Sequence, residues 1–328
     1  MQRGGMGAGM DHKAGLMKIG FDVLLLDMQA FGDMRALGRA PHYTEVREMA
    51  LQAEDAGFDS IWLYDHLLYR FAGQPTVGIW ECWTMLSALA EATQRVELGT
   101  LVLCTQFRNP ALVAKMASTV DEVSNGRFIL GVGAGWNEAE FTAFGTPFSH
   151  RVARFEEALQ IIRPLLQEGH VDFTGTYYQA RDCEITPRGP RASGPPLLVG
   201  GSGPRMLRLT AQYADLWNTA YRSYPPSIVE PRSQLHAACT AVGRDPATLG
   251  VTVHVAVAYP DLGDPPSVLS AFVPEYLTGS TEEIAAAMQG YEQMGVSHLI
   301  CFCTPYNATT LARVAEAVQV YRKMRSGN

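Results

Sequence analysis

The chain has 328 residues, 47% of them hydrophobic and 18% charged, which is enough apolar content for a large core and lacks the bias of a disordered chain. Its formal charge of −7, with no clustered Lys and Arg, excludes a nucleic-acid surface and points to a small-molecule substrate. The six cysteines, Cys82, Cys104, Cys183, Cys239, Cys301 and Cys303, are scattered without framework spacing, which predicts reduced thiols and a cytoplasmic protein.

In chain order, residues 1–15 are expected to form a disordered tail and 16–325 a single domain. The first apolar run, Ile19–Met28, is broken by Asp22 and Asp27, which excludes a signal-peptide core and a membrane span. Eight segments of strand length follow: 18–26, 58–64, 96–103, 128–133, 196–201, 215–219, 250–258 and 297–303. Most are continuous apolar runs, the pattern of strands buried on both faces of a parallel sheet. Helices fill the gaps. Segment 44–56 carries Val46, Met49, Ala50 and Ala53 on one face and stops at Gly57, and 280–294 opens with the capping-box pair Ser280 and Glu283 and stops at Gly295. Eight strand–helix units in this length predict an α/β fold, a single (β/α)8 TIM barrel, over a doubly wound sheet. Two loop insertions interrupt the repeat: 169–195 after the fourth helix, with a hairpin expected over Val171–Tyr178, and the Pro- and Gly-rich 259–279 after the seventh strand.

Unusual residues collect at the C-terminal ends of the predicted strands, the mouth at which barrels build their sites. Strand two ends in Tyr64-Asp65-His66, strand three in Leu103-Cys104-Thr105-Gln106, strand four in Gly133-Ala134-Gly135-Trp136-Asn137 and strand five in Gly200-Gly201-Ser202-Gly203. In the unit Gly126–Gly145, Gly131, Gly133 and Gly135 remove side chains where the backbone leaves a strand, so that something can approach closely. Asn137 is placed to cap the following helix, with Glu138 and Glu140 in its positive first turn. A tight strand-to-helix connection would leave the same signature. The Gly200–Gly203 run before Pro204 suggests a phosphate cradle, in which backbone N–H groups converge at a helix N-terminus and Ser202 adds a hydroxyl. Neither glycine run has the G-x-G-x-x-G spacing of dinucleotide folds.

His66, an imidazole beside Asp65 at a strand end, is the candidate for acid–base or electrophilic chemistry; a structural histidine satisfying buried carbonyls is the competing reading. His254 and His298 fall inside strands and are expected to be barrel-interior residues, and Cys104 a small buried residue rather than a nucleophile. No H-x-H, H-E-x-x-H or C-x-x-C pattern supports a metal site, and no G-x-S-x-G elbow supports hydrolase chemistry.

Together these residues resemble the bacterial luciferase-like flavin and deazaflavin oxidoreductases. The matching stretches are Asp59–Trp62 leading to Asp65 and His66; Val96–Thr100 leading through Cys104 to Phe107–Pro110; Gly126–Phe128 through Gly133–Trp136 to Glu140 and Phe141; Pro196–Gly203 with Ala214–Asn218; and Gly279–Ile284 before Gly295 and Val296. The resemblance implies a barrel holding the deazaflavin coenzyme F420 at its C-terminal mouth, or FMN as the alternative. It places Asp65 and His66 near the tricyclic ring, with His66 the catalytic proton donor or substrate-orienting group. Leu103 and Cys104 would back the ring, where the family often has a non-proline cis peptide. Gly133, Gly135 and Asn137 would contact the ring or ribityl chain, and Gly200, Gly201, Ser202 and Gly203 would hold the phosphate.

The implied chemistry is hydride transfer between the deazaflavin and an organic substrate, which needs an oriented, dry pocket and few catalytic side chains. Trp136, with Met28, Phe31 and Met34 after strand one, would wall an apolar substrate or serve as ordinary packing. Three activities fit: an F420-dependent oxidoreductase, an FMN-dependent monooxygenase supplied by a separate reductase, and a non-catalytic flavin-binding barrel. The Asp65-His66 pair and the Gly133–Glu140 unit favour the first. Substrate choice is expected to rest on the weakly patterned loops 29–43, 67–79, 169–195 and 259–279, and the resemblance also implies a homodimer.

Overall fold

A computed structural model describes residues 16–26, 40–71, 73, 75–265, 269 and 272–326; the expected tail and Met28, Phe31 and Met34 lie outside them. The chain begins β1 (Lys18–Asp22), α1 (Tyr43–Asp55), β2 (Ser60–Leu63), a short ribbon of β3 (Leu68–Tyr69) and β4 (Val77–Gly78), then α2 (Cys82–Ala92). Next come β5 (Glu97–Thr100), β6 (Leu103–Cys104), α3 (Pro110–Val123), β7 (Phe128–Gly133), α4 (Glu138–Phe144) and α5 (Arg151–Gln167). A hairpin of β8 (His170–Thr174) and β9 (Gln179–Glu184) precedes β10 (Leu197–Gly200), α6 (Pro204–Tyr213), β11 (Leu216–Thr219) and α7 (Val229–Ala241). The chain closes with β12 (Gly250–Ala258), α8 (Thr281–Gln293), β13 (His298–Thr304) and α9 (Ala308–Ser326).

Strands β1, β2, β5, β7, β10, β11, β12 and β13 pair in parallel in that order, and β13 pairs back onto β1, closing an eight-stranded TIM barrel. The helices bury their apolar faces on it: Val46, Ala50 and Ala53 of α1 are buried, as the spacing predicts. The Ser280 and Glu283 capping box is formed as read from the sequence. Arg127, one residue before β7, ties the lower rim together by donating to the carbonyls of Ala90, Thr93 and Val96.

Four details differ from the sequence reading. Strand one leaves the sheet after Asp22 rather than Leu26, because Leu24 N–H is taken by the Tyr306 hydroxyl instead of a neighbouring strand. Strand three is split into β5 and β6 at Leu101–Val102, where the non-proline cis peptide stands, upstream of the expected Leu103 and Cys104. The hairpin in the first insertion spans His170–Glu184 instead of Val171–Tyr178, with a register shift between Val171 and Phe173. The β3–β4 ribbon had no counterpart in the sequence reading.

The barrel interior is layered. Trp62 is fully buried in the lower part, its indole N–H donating to Ser60 Oγ at 2.7 Å, which in turn lies 2.7 Å from His298 Nε2. Gly99 is what makes room for this ring, since a Cβ there would sit 2.2 Å from Trp62 Cε3. Higher up, Tyr64, Leu101, Val102, Asn218 and His254 border a space that becomes the site. Among the described residues no helix is long and apolar enough to cross a membrane.

Candidate active site

A cavity of about 630 Å³ opens at the C-terminal ends of the strands, within the size range of small-molecule sites. Tyr64, Asp65, His66, Cys104, Gly133, Gly135, Asn137, Gly200, Gly201 and Ser202 all line it, so four predicted strand ends converge on one space. Leu103 is fully buried and faces the core instead.

The tripeptide after β2 sends its three side chains to three destinations. His66 Nδ1 lies 2.7 Å from Glu140 Oε1 on α4, and Glu140 Oε2 accepts the Leu67 N–H at 2.9 Å. The ring is flanked by Tyr69 at 4.6 Å and by Trp136, edge-on, at 5.5 Å. A carboxylate on Nδ1 fixes the imidazole's orientation and leaves Nε2 for a ligand. Asp65 is committed elsewhere: Arg108 grips both its oxygens at 2.8 and 2.9 Å, and the Cys104 N–H donates to it at 2.9 Å. That bidentate pair locks the end of strand two to the start of α3 and leaves Asp65 little capacity for a ligand. Tyr64 turns inward to Asp22 and His254.

Asn137 precedes α4, but its side chain does not cap the helix, contrary to expectation. Its amide donates to Leu68 O at 3.0 Å and to Glu140, so it braces the carboxylate that orients His66. Cys104 is buried, and burial pushes its thiol up to about 12, far from a thiolate nucleophile at neutral pH. All six cysteines are free.

The glycines of strands four and five answer a neighbour inside the protein. A Cβ on Gly133 would meet Val102 Cγ2 at 2.7 Å, and one on Gly200 would meet Val102 Cγ1 at 3.1 Å. Val102, turned in where strand three is split, occupies the volume those side chains would take, and it lines the cavity floor. At the Gly200–Gly203 loop, Gly203 precedes α6, Pro204 takes the first helical position and the Trp217 indole anchors the loop by donating to Gly201 O at 2.8 Å. Gly203 is exposed and does not line the cavity; a Cβ there would meet no described atom within 4 Å. Arg205 and Arg208 are both paired with Glu156, while the α6 N-terminus and the Ser202 hydroxyl are donors at this end of the cavity.

Sequence reasoning missed two roles. Glu140 is 1% exposed and partners His66, whereas an acidic residue in a first helical turn signals only dipole complementarity. Arg108 carried no signal beyond its place in a matching stretch, since its partners Asp65 and Glu81 are brought to it by the fold.

The model of the luciferase-like monooxygenase family matches residues 21–262. An F420-dependent glucose-6-phosphate dehydrogenase of Amycolatopsis mediterranei (strain U-32) is 37% identical over 175 residues, covering 51% of this chain and 50% of that protein. A phthiodiolone/phenolphthiodiolone dimycocerosates ketoreductase of Mycobacterium sp. (strain JLS) is 31% identical over 236 residues, covering 66% of this chain and 62% of that one. The chain thus spans about half to three-fifths of the length of these curated relatives. Among solved structures, an F420-dependent secondary alcohol dehydrogenase in complex with an F420-acetone adduct superposes with a TM-score of 0.76 at 20% identity, over 93% of this chain and 99% of that one. A monooxygenase from Streptomyces bottropensis gives 0.74 at 19% identity, over 94% and 100%. At such identities the structural likeness establishes the TIM-barrel fold, while the match over residues 21–262 establishes the family: this chain belongs to the luciferase-like monooxygenase family.

Proposed function

We propose that the protein is an oxidoreductase that transfers a hydride between the deazaflavin coenzyme F420 and a small organic substrate. The observation that carries this reading is the convergence, on one 630 Å³ cavity, of a helix-terminal glycine loop and a buttressed imidazole. Relatives named as F420-dependent enzymes support the coenzyme, with FMN as the alternative.

The residues present fit the coenzyme. The open backbone at Gly203, the Ser202 hydroxyl and the α6 N-terminus suit a phosphate, and the Val102 and Cys104 side chains with Gly133 and Gly135 give a surface of low relief for a flat ring. When bound, the deazaflavin supplies a two-electron hydride carrier. His66, with Nδ1 held by Glu140, presents Nε2 to the substrate oxygen and orients it. Asp65 acts one step removed, through Arg108 and the Cys104 amide, by holding two strand ends in register. Asn137 supports the ring-side wall by bracing Glu140.

Titration of the purified protein with oxidised F420 and, separately, with FMN, followed by cofactor fluorescence, tests the reading. Micromolar F420 binding with weak FMN binding is the expected result; tight FMN binding alone would favour the monooxygenase, and binding of neither would remove the glycine-loop argument. His66→Asn is expected to keep F420 affinity and lower kcat about a hundredfold. Unchanged turnover would strip His66 of its role, and wild-type coenzyme binding with no turnover on any substrate would favour a non-catalytic barrel.

A further inference from the structure

Beside His66 the cavity holds a second buttressed acid–base group that the reading above does not use. Asp22, the last residue of β1, is 1% exposed, and among the described residues no Lys or Arg forms an ion pair with it. Its Oδ2 accepts hydrogen bonds from the Tyr64 hydroxyl and, at 2.6 Å, from His254 Nε2, while its buried Oδ1 has no partner among the described residues. The Tyr64 oxygen lies 3.2 Å from that same His254 nitrogen. Tyr64 and His254 line the cavity, with Asp22 behind them. Other titratable groups that feel Asp22 are Tyr221 after β11, Cys301 and Cys303 of β13, and Tyr306 after β13.

Such a cluster is poor material for stability. A buried carboxylate held only by a phenol and an imidazole is an expensive core element, and barrel interiors are ordinarily filled with Val, Ile and Leu. Its position suits chemistry instead. Tyr64 and His66 stand two residues apart just after β2 and both line the one cavity, so a substrate held there lies within a space that both side chains border. The Tyr64 proton is directed to Asp22, which leaves the phenol oxygen to accept a proton from the cavity side.

We propose that Tyr64 is a second catalytic residue, and that the substrate is an alcohol or the corresponding carbonyl compound whose proton Tyr64 relays to and from Asp22. This inference rests on the hydride-transfer reading above. In the oxidising direction the alcohol O–H proton passes to the Tyr64 oxygen while the phenol's own proton passes to Asp22 Oδ2. The substrate C–H bond breaks with its electron pair leaving as hydride to the oxidised deazaflavin, and the O–H electron pair becomes the new C=O π bond. The alcohol loses two electrons and Asp22 ends as a neutral acid, with His254 holding its carboxyl in place. Carbonyl reduction is the same path reversed, with Asp22 starting protonated and the reduced deazaflavin as hydride donor. Asp22 and His254 are positioning and proton-storing residues that act through Tyr64.

The test uses the full chain, F420, and a panel of primary and secondary alcohols with their aldehydes and ketones. Tyr64→Phe and Asp22→Asn are expected to lower kcat about a hundredfold or more, while F420 affinity stays within about threefold of wild type. Asp22→Asn should also remove a limb of the kcat pH profile that Asp22→Glu restores, which a merely structural role would not do. A second readout needs no coenzyme. In alkaline titrations followed by tyrosinate absorbance, Asp22→Asn is expected to shift one phenol to lower pH, and that phenol should be missing from Tyr64→Phe. Tyr64→Phe with kcat within about threefold of wild type overturns the proposal, as does F420 binding with no member of the panel turned over. Failure of wild type to bind F420 overturns the functional reading itself, and this proposal with it.

Discussion

Two histidines on adjacent strands, His298 of β13 and His254 of β12, separate the two halves of this barrel. His298 sits in the lower layer, against the Ser60 hydroxyl and edge-on to Trp62, and burial lowers its pKa to about 3, so the ring stays neutral as packing material. His254, toward the mouth, meets a carboxylate and two tyrosines, Tyr64 and Tyr221. In the lower layer Trp62, Ser60 and His298 close their polar groups onto one another, whereas in the upper one Asp22 Oδ1 has no partner among the described residues. An imidazole takes its character from the layer it occupies: below, it completes a core; above, it belongs to a site.

Changes in the lower layer should therefore cost stability, and changes nearer the mouth should cost less stability and more function. The largest stability effect is expected at Trp62: Trp62→Ala empties a fully buried volume and leaves Ser60 without its donor, a loss of about 3–5 kcal/mol measurable by urea denaturation. A smaller effect is expected at the boundary, where Gly133→Ala would drive a methyl into Val102 and cost about 1–3 kcal/mol. Adding Val102→Ala to the same chain should restore much of that loss. A Gly133→Ala chain as stable as wild type, with F420 binding unchanged, would show that Val102 is not what demands the glycine.

The third effect is the most gradual. The unfolded chain protonates His298 below the ordinary value of about 6.5, while the folded protein resists protonation until about 3. The folded state then binds fewer protons, so stability is full above about pH 6.5 and falls as pH drops through that window. The slope from this ring approaches about 1.4 kcal/mol per pH unit. His298→Asn should flatten that acid limb in equilibrium unfolding, and an unchanged slope would assign acid sensitivity to other groups.

Much of the architecture was legible because it depends on local pattern. Eight apolar runs, each followed by a helix with readable stops such as Gly57 and Gly295, suffice for a parallel barrel. The positions of the mouth residues followed from the same count, since strand ends share one rim. Sequence failed where a partner comes from far along the chain. Asp22 and His254 are separated by 232 positions, and Glu140 and His66 by 74. No periodicity announces such pairs. Asp22 registers in the sequence only as a break in an apolar run, and Glu140 only as a helix-start acid.

The glycines show the division most directly. Their placement at strands four and five is written in the chain, and it foretold a close approach at Gly133 and a phosphate cradle at Gly200. Only the tertiary structure decided what approaches: Val102, brought in from the neighbouring strand where the ladder is split. Periodicity and capping act between residues a few positions apart, so the sequence by itself determined the strands, the helices and the rim they share. Closure of the barrel decided which side chains meet there, because ring closure brings distant segments within hydrogen-bonding distance.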